Sequence, residues 1–279
     1  MSIGSKIFRG SAWIALAIIF APIALLSSFI ILSEIPTGSV RFRVTAEITT
    51  PDGVRTGSSV LQSSFYRTVG AVSGATAKLR GEAVFIELGA GRNVVVLLAH
   101  GPMGEGGDAF AALPVTALTG AGWGWNAKKA MEERGGSLSG SADLTGLLIP
   151  TMVTVPDLKD PTSVRVLYAT SPKVVCEPAG NCAPKVVGVE VVDRFEDIFG
   201  RGYGLKRINV EVVPRGIWPL NALGIWGAPI TDGIEEKLPW WNFRDRMTWE
   251  TLCAPRAETP FAECRQFMIN FFCSVRRSL

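Results

Sequence analysis

Histidine is almost absent from this chain, and its scarcity excludes several kinds of active site. His100 is the only histidine among 279 residues. An HExxH zinc site needs two histidines, and histidine is the side chain that most often acts as a general base near neutral pH. His100 follows a hydrophobic run and precedes Gly101 and Pro102. We therefore expect it at the end of a strand, with a catalytic role as the alternative.

Long basic runs are missing as well, which argues against binding to nucleic acids. The chain has 28 Lys and Arg against 25 Asp and Glu, and its longest basic runs are pairs such as Lys128-Lys129 and Arg276-Arg277. Proteins that bind nucleic acids usually cluster many basic side chains on one face. We expect no nucleic-acid partner.

The common catalytic motifs are also lacking. Residues 136–140 come nearest to a GxSxG nucleophile motif, but Leu138 stands where the serine should be. The glycine-rich residues 120–125 lack the GK[ST] of a phosphate-binding loop. A carboxylate pair near Asp157 and Asp160 is the remaining candidate, although an Asp-Pro step is typical of turns. The sequence thus predicts no cofactor and no metal.

Charge is absent from one long stretch near the start of the chain. The 24 residues from Gly10 to Ser33 carry no charge, and a helix of about 20 apolar residues crosses a bilayer. A secretory signal has an apolar region of only about 7–15 residues and a small-residue cleavage site, which this stretch matches poorly. We predict that residues 11–33 form an uncleaved transmembrane signal anchor. A cleaved signal and a buried core helix are the alternatives.

The charges beside this segment predict its orientation. Lys6 and Arg9 precede it and Glu34 follows it, and basic residues favour the cytoplasmic side. Residues 1–10 are then a cytoplasmic tail, and the main domain lies in the periplasm. The expected location is the bacterial inner membrane, which the chain crosses once.

The chain beyond the anchor has the pattern of β-strands. Residues 40–48 alternate strictly between apolar and polar side chains, which is typical of a half-buried strand, and the TPDG turn after them predicts a hairpin. A second hairpin is predicted from residues 77–88 and 93–99, and further strands at residues 151–155 and 204–213. We expect residues 36–242 to form an antiparallel, β-rich extracytoplasmic domain, so that the fold class is α+β and mainly β.

The stretch between these strands, residues 101–146, is rich in Gly, Ala and Ser. Such a composition is typical of a surface loop. We expect a long excursion with little structure of its own, apart from one short helix near residues 126–134.

The five cysteines predict disulfides. Cys176 and Cys182 stand near the tip of a hairpin formed by residues 164–192, and a disulfide closing so small a loop contributes roughly 2 kcal/mol. Disulfides persist outside the reducing cytosol, which agrees with a periplasmic domain. A zinc site is the alternative, but a CxxC motif is absent.

Residues 243–279 form a helical, cysteine-containing segment in this interpretation. Pro260 suits the first turn of a helix, and hydrophobic residues follow it at helical spacing up to Arg276 and Arg277. Cys264 and Cys273 fall on different sides of such a helix, so we predict that Cys253 bonds one of these two. One thiol is left over.

Tryptophans mark a candidate contact surface. Residues 216–229 are uncharged and contain Trp218 and Trp226, and Trp240 and Trp241 follow. An exposed aromatic loop suits a protein partner or the membrane interface, whereas a buried loop would place these side chains in the core. We predict that Trp218 and Trp226 contact a partner and that Trp240 and Trp241 belong mainly to the fold.

Several blocks of sequence resemble uncharacterised, membrane-anchored bacterial proteins of alphaproteobacterial type. The blocks are TPDGVRTGSSV, RGEAVFIELGAGR, DPTSV, LKRINVEV and ITDGIEEKLPWW. They occur in the same order over roughly residues 41–241. The family has no assigned activity, so the resemblance implies no catalytic residue. The cysteine hairpin and the C-terminal tail depart from it.

These observations together predict a non-enzymatic, membrane-anchored binding or scaffolding subunit of an envelope complex, with a protein partner. The alternative is a hydrolase of an envelope polymer that uses carboxylates near Asp157 and Asp160.

Overall fold

The structure, a computed structural model, is an α+β protein made mainly of antiparallel strands. It describes residues 34–68, 74–102, 107–123, 125–134, 137–176, 184–216, 220, 225, 227–240 and 276–277. The strands are β1 (Glu34–Thr50), β2 (Gly53–Thr68), β3 (Gly74–Glu82), β4 (Val84–Gly89), β5 (Arg92–Val96), β6 (Ser141–Asp143), β7 (Met152–Thr154), β8 (Arg165–Cys176), β9 (Pro184–Asp193), β10 (Gly204–Val212) and β11 (Arg276–Arg277). The helices are α1 (Gly107–Ala111), α2 (Leu113–Thr119), α3 (Trp125–Glu133), α4 (Phe195–Phe199) and α5 (Ile234–Lys237). Two short 3-10 turns cover Gly146–Leu148 and Pro161–Ser163.

The first sheet has the order β11-β3-β2-β1-β10-β6 and is built around the predicted first hairpin. β1 pairs with β2 across the two-residue turn between Thr50 and Gly53. The predicted alternation in β1 is confirmed, since Val40, Phe42, Val44, Ala46 and Ile48 are all buried. These side chains lie on one face of β1 and pack into the main core.

The second sheet has the order β4-β5-β7-β8-β9. Its first strand, β4, is the second part of the hairpin arm that the sequence predicts as one strand over residues 77–88. The hairpin turn between β4 and β5 is confirmed, but the arm before it is broken between Glu82 and Val84. Gly81 has φ +128°, and a β-carbon there would lie 2.5 Å from Leu61 Cδ2. Only glycine suits this crowded bend, which sends β3 and β4 into different sheets.

Apolar side chains cover both faces of the second sheet. One face packs on the main core that also holds the inward side of β1 and β10. The other carries a smaller cluster in which Val95 and Val153 meet Leu238 and Trp240. Because β5 and β7 are buried on both faces, they have continuous apolar runs in place of alternation.

The region predicted to be a surface excursion is partly helical and buried, so that prediction is wrong for its first half. α1 and α2 place Phe110, Leu113 and Val115 in the main core, each no more than 1% exposed. Their small residues pack close to the sheet, and glycines on either side obscure the helical pattern in the sequence. The predicted helix near residues 126–134 is confirmed as α3.

The two ends of the chain are described only in part. In the part of the chain that the structure describes, none of the helices has the length and apolar character of a membrane span. The predicted anchor, residues 11–33, lies outside the described residues. Of the predicted C-terminal helical segment, Arg276 and Arg277 are described, and they pair with Glu82 and Gly81 as strand β11. At these two residues the structure differs from the predicted helix.

Candidate functional site: an exposed valine ribbon and its pocket

The β8–β9 hairpin extends beyond the rest of the second sheet and carries most of the exposed large hydrophobic side chains among the described residues. We call its outer part, residues 171–176 and 184–192, the valine ribbon. Seven of the nine exposed large hydrophobics in the described part of the chain belong to it. They are Val174, Val175, Val186, Val187, Val189, Val191 and Val192, between 36% and 58% exposed. The free energy of keeping so many valines in water points to a contact surface.

The two faces of the ribbon differ in polarity, although both carry valines. Cross-strand partners share a face, and the pairs Pro172–Val189 and Val174–Val186 alternate with pairs that contain charged residues. The latter are Ser171–Glu190 and Val175–Lys185. A register shift between Lys173 and Val174 adds Val187 as an extra residue in β9. The more apolar face of the ribbon could therefore pack against another β-structure.

The edge of the ribbon is open in the described structure. β9 is the last strand of its sheet and pairs with β8 alone among the described strands. An edge strand presents backbone N–H and C=O groups that can pair with another chain. Natural edge strands are often protected by inward charges or proline, and Pro184 and Lys185 stand only at the start of β9.

A pocket of about 300 Å³ lies at the base of the more apolar face. His100, Trp123 and Leu147 line one side, and Thr170 and Pro172 of β8 line the other. A β-carbon at Gly146 would lie 3.8 Å from Val189 Cγ2, so the turn before Leu147 borders the more apolar face. The register places the pocket residues Thr170 and Pro172 on the same face as Val174, Val186, Val189 and Val191. The volume of the pocket is at the small end of the roughly 300–1,000 Å³ range of small-molecule sites and suits one large side chain.

His100 lies just beyond β5, close to the predicted strand end, and is held between two aromatic rings. Its ring centroid is 5.4 Å from that of Phe110 and 5.0 Å from that of Trp123. Nδ1 lies 3.3 Å from the carbonyl oxygen of Ile149. A carbonyl only accepts hydrogen bonds, so Nδ1 carries the proton and Nε2 is the acceptor.

Burial determines the charge of this imidazole. It lowers the pKa of His100 to about 4, and the hydrogen bond to Ile149 only partly offsets this effect. The ring is therefore neutral at pH 7 and is a weak base. His100 Nε2 and Thr170 Oγ1 are both buried without a hydrogen-bond partner among the described residues. The pocket is thus apolar, with two polar atoms that remain to be satisfied.

The two aspartates of the hydrolase alternative lie in one turn. Asp160 Oδ1 accepts hydrogen bonds from Thr162 N at 2.8 Å and Thr162 Oγ1 at 2.7 Å. Asp157 Oδ1 accepts a hydrogen bond from Lys159 N at 2.9 Å. These contacts are those of turn and cap residues, so the hydrolase alternative gains no support from them.

The other predicted site residues are described only in part. Trp218, Trp226, Cys182, Cys253 and Cys264 lie outside the described residues. Cys176 ends β8 opposite Pro184, and its side chain is also outside the described set. The disulfides and the tryptophan contact surface stay predictions. Trp240 is 3% exposed, which confirms its predicted place in the fold.

Among the described residues, one group of carboxylates comes close enough together to hold a cation. Oxygen atoms of Glu82, Asp232 and Glu235 all lie within 4.8 Å of one another. Glu82 Oε2 already accepts a hydrogen bond from Ile234 N at 2.8 Å. Acidic groups often gather in this way without an ion, so the cluster by itself assigns no metal.

No family model, no curated protein and no solved structure matches this chain. The valine ribbon was visible in the sequence as two β-branched runs around a turn. The exposure of those valines was not, because a buried hairpin has the same local pattern.

Proposed function

We propose that this chain is a non-enzymatic, membrane-anchored binding subunit of the bacterial cell envelope, which holds a protein partner on its valine ribbon. The concentration of exposed valines on the ribbon, seven of nine in the described residues, supports this function. Soluble surfaces rarely keep such an apolar patch unless it binds something.

The partner in this proposal is an extended segment of another protein. The open edge of β9 offers backbone donors and acceptors, and strand addition to such an edge combines main-chain hydrogen bonds with pockets for alternate side chains. The His100 pocket would receive one apolar side chain of that segment. A bilayer is a poorer occupant, since hydrocarbon leaves the hydrogen-bonding groups of the edge unsatisfied.

The chemistry of His100 supports binding over catalysis. A general base works best with a pKa near the working pH, whereas burial lowers the pKa of His100 to about 4. Among the described residues, the imidazole of His100 hydrogen-bonds to the carbonyl of Ile149. It forms no hydrogen bond with a described hydroxyl or carboxylate. A neutral acceptor inside an apolar pocket instead suits recognition of a donor on the partner.

Site-specific photo-crosslinking in intact cells tests the surface. A photoreactive amino acid at Val189 should give one discrete adduct with another protein, and the same group at Val54 should not. Val54 is a matched control because it is an exposed valine, at 46%, on β2 of the other sheet. The double substitution Val174→Thr with Val191→Thr should abolish the Val189 adduct while leaving the fold intact.

The identity of the adduct decides the occupant. A heteromeric product lost in the threonine variant supports the proposal. A product whose mass is twice that of the chain assigns the surface to a second copy, and adducts with lipid alone assign it to the bilayer. Equal crosslinking from Val54 and Val189 would contradict a specific site.

The periplasmic location is part of the proposal, and the predicted disulfides test it. Non-reducing peptide mapping should link Cys176 to Cys182, and Cys253 to Cys264 or Cys273. If all five thiols react with an alkylating agent before reduction, the oxidising location fails while the valine surface remains testable.

A further inference from the structure

A second cavity, of about 500 Å³, lies on the first sheet and is strongly basic. The first half of β1, the end of β10 and the connection that follows α3 surround it. Its charged and hydroxyl side chains are Arg41, Arg134, Arg215, Ser39, Ser137 and Ser139, and the lining includes no acidic residue. We call this cavity the arginine pocket.

Arg41 is the buried member of the arginine pocket. It is 7% exposed although it belongs to the polar side of the alternating β1 pattern. One terminal nitrogen donates to the carbonyl oxygens of Arg215 and Ala228, at 3.0 and 2.8 Å. The other donates to Gln62 Oε1 at 2.8 Å. All three acceptors are neutral, and Arg41 Nε is buried without a partner in the described structure.

Among the described residues, no acidic side chain neutralises the positive charge of Arg41. Burial lowers its pKa, and repulsion from Arg215 and Arg80 lowers it further. A guanidinium remains protonated in proteins even so. Among the described residues no carboxylate forms an ion pair with Arg41. Burying a charge without a counter-charge is unfavourable, so an external anion would stabilise it.

Three other arginines of the same domain, unlike Arg41, form ion pairs with carboxylates. Arg43, next but one along β1, lies 3.2 Å from Glu211. Arg67 lies 3.0 Å from Glu132, and Arg207 lies 2.8 Å from Asp143. Acidic partners in the described structure therefore lie at these exposed arginines, and none of the described carboxylates pairs with the buried one.

We propose that the arginine pocket binds a phosphate-type anion. Guanidinium groups fit tetrahedral oxyanions with paired hydrogen bonds, and serine hydroxyls donate to the remaining oxygens. The phosphate belongs either to a soluble molecule or to the headgroup of an anionic lipid. The headgroup is within reach if the predicted anchor is correct, because β1 begins at Glu34, directly after that segment. This site shares no residue with the valine ribbon.

Calorimetric titration of the full chain in neutral detergent micelles tests the proposal. The probes are inorganic phosphate and dihexanoyl phosphatidylglycerol below its micelle concentration, with dihexanoyl phosphatidylcholine and sodium chloride as references. One of the two anionic probes should bind with 1:1 stoichiometry. Arg134→Gln should raise its Kd at least fivefold, because it removes one positive charge from the pocket lining. Arg134 is exposed, so we expect the variant to keep its fold.

Arg201→Gln is the matched control, since it removes one exposed positive charge outside the pocket. It should change the Kd less than twofold. Arg41→Lys keeps the charge but loses the forked geometry, and it should weaken binding where the variant folds. Tighter binding of phosphatidylglycerol than of phosphate assigns the site to lipid, and the reverse order assigns it to a soluble phosphate.

The proposal is overturned if neither anionic probe binds more strongly than its reference. It is also overturned if Arg134→Gln and Arg201→Gln change the Kd equally, because the effect would then be one of net charge. Neither result bears on the valine ribbon, so failure here and failure of the proposed function are distinguishable.

Discussion

The side chain of Asn93, in β5, pairs with the backbone of Val155, just after β7. It makes the two hydrogen bonds that a neighbouring strand would make there. Its Nδ2 donates to the carbonyl oxygen of Val155 at 2.8 Å, and its Oδ1 accepts from Val155 N at 2.9 Å. Asn93 is 2% exposed, and Val155 is fully buried. The pair therefore satisfies two backbone groups that water does not reach.

Asn93→Leu should lower the free energy of unfolding by about 2–4 kcal/mol, because each buried group left unsatisfied costs about 1–3 kcal/mol. Urea unfolding followed by tryptophan fluorescence measures this change. Asn209→Leu is the control, since Asn209 donates to Asp143 in an exposed contact, and it should cost less than about 1 kcal/mol. Equal effects of the two substitutions would contradict the role of the Asn93 bridge.

At Gly57 in β2, the first sheet closely approaches β4 of the second sheet. A β-carbon there would lie 2.6 Å from Ile86 Cγ1 and 3.1 Å from the carbonyl oxygen of Phe85. Gly57→Ala should therefore cost about 1–3 kcal/mol of stability through overpacking. Gly188→Ala, in the ribbon, meets nothing within 4 Å and should leave the melting temperature unchanged or slightly raised. The opposite order would show that β2 and β4 can separate freely.

The buried imidazole should make stability depend on pH. The pKa of His100 falls from 6.5 to about 4 in the folded state. The unfolded chain therefore takes up the proton first as the pH falls, and the folded state loses stability between about pH 6.5 and pH 4. From pH 7.5 to pH 5.0 this effect amounts to about 2 kcal/mol.

Replacement of His100 isolates that contribution because the chain has no other histidine. The free energy of unfolding of His100→Gln should fall less between pH 7.5 and pH 5.0 than that of the unchanged chain, by about 2 kcal/mol. Identical pH profiles would mean that His100 reaches water and titrates normally. A readout that follows the ring directly is its NMR chemical shift, which should stay that of neutral imidazole at pH 5.5.

The tryptophans near the end of the described domain should separate into two classes. Trp240 is 3% exposed and packs with Leu238 and Ile234, so Trp240→Ala should cost about 3–5 kcal/mol. The double variant Trp218→Ala with Trp226→Ala should keep the melting temperature within a few degrees and weaken recovery of the partner. A large loss of melting temperature with recovery unchanged per folded molecule would place both side chains in the core.

Local patterns in the sequence determined most of the strands. The alternation in residues 40–48 predicts β1 because side chains of a strand point to opposite faces in turn. Turn residues at positions 51–53 and 89–92 predict where the chain reverses. The β-branched runs on either side of Cys176 and Cys182 predict the β8–β9 hairpin in the same way. Each of these signals needs only neighbouring residues.

Tertiary structure alone decided which faces are covered and which are open. Arg41 shares its polar pattern with Arg43, yet it is buried because Arg215 and Ala228, 174 and 187 residues away, close over it. The valines of the ribbon have the same pattern as buried strands, and they are exposed because no described element packs on them. Burial depends on contacts between distant segments, so a local pattern predicts the strand and leaves its environment undetermined.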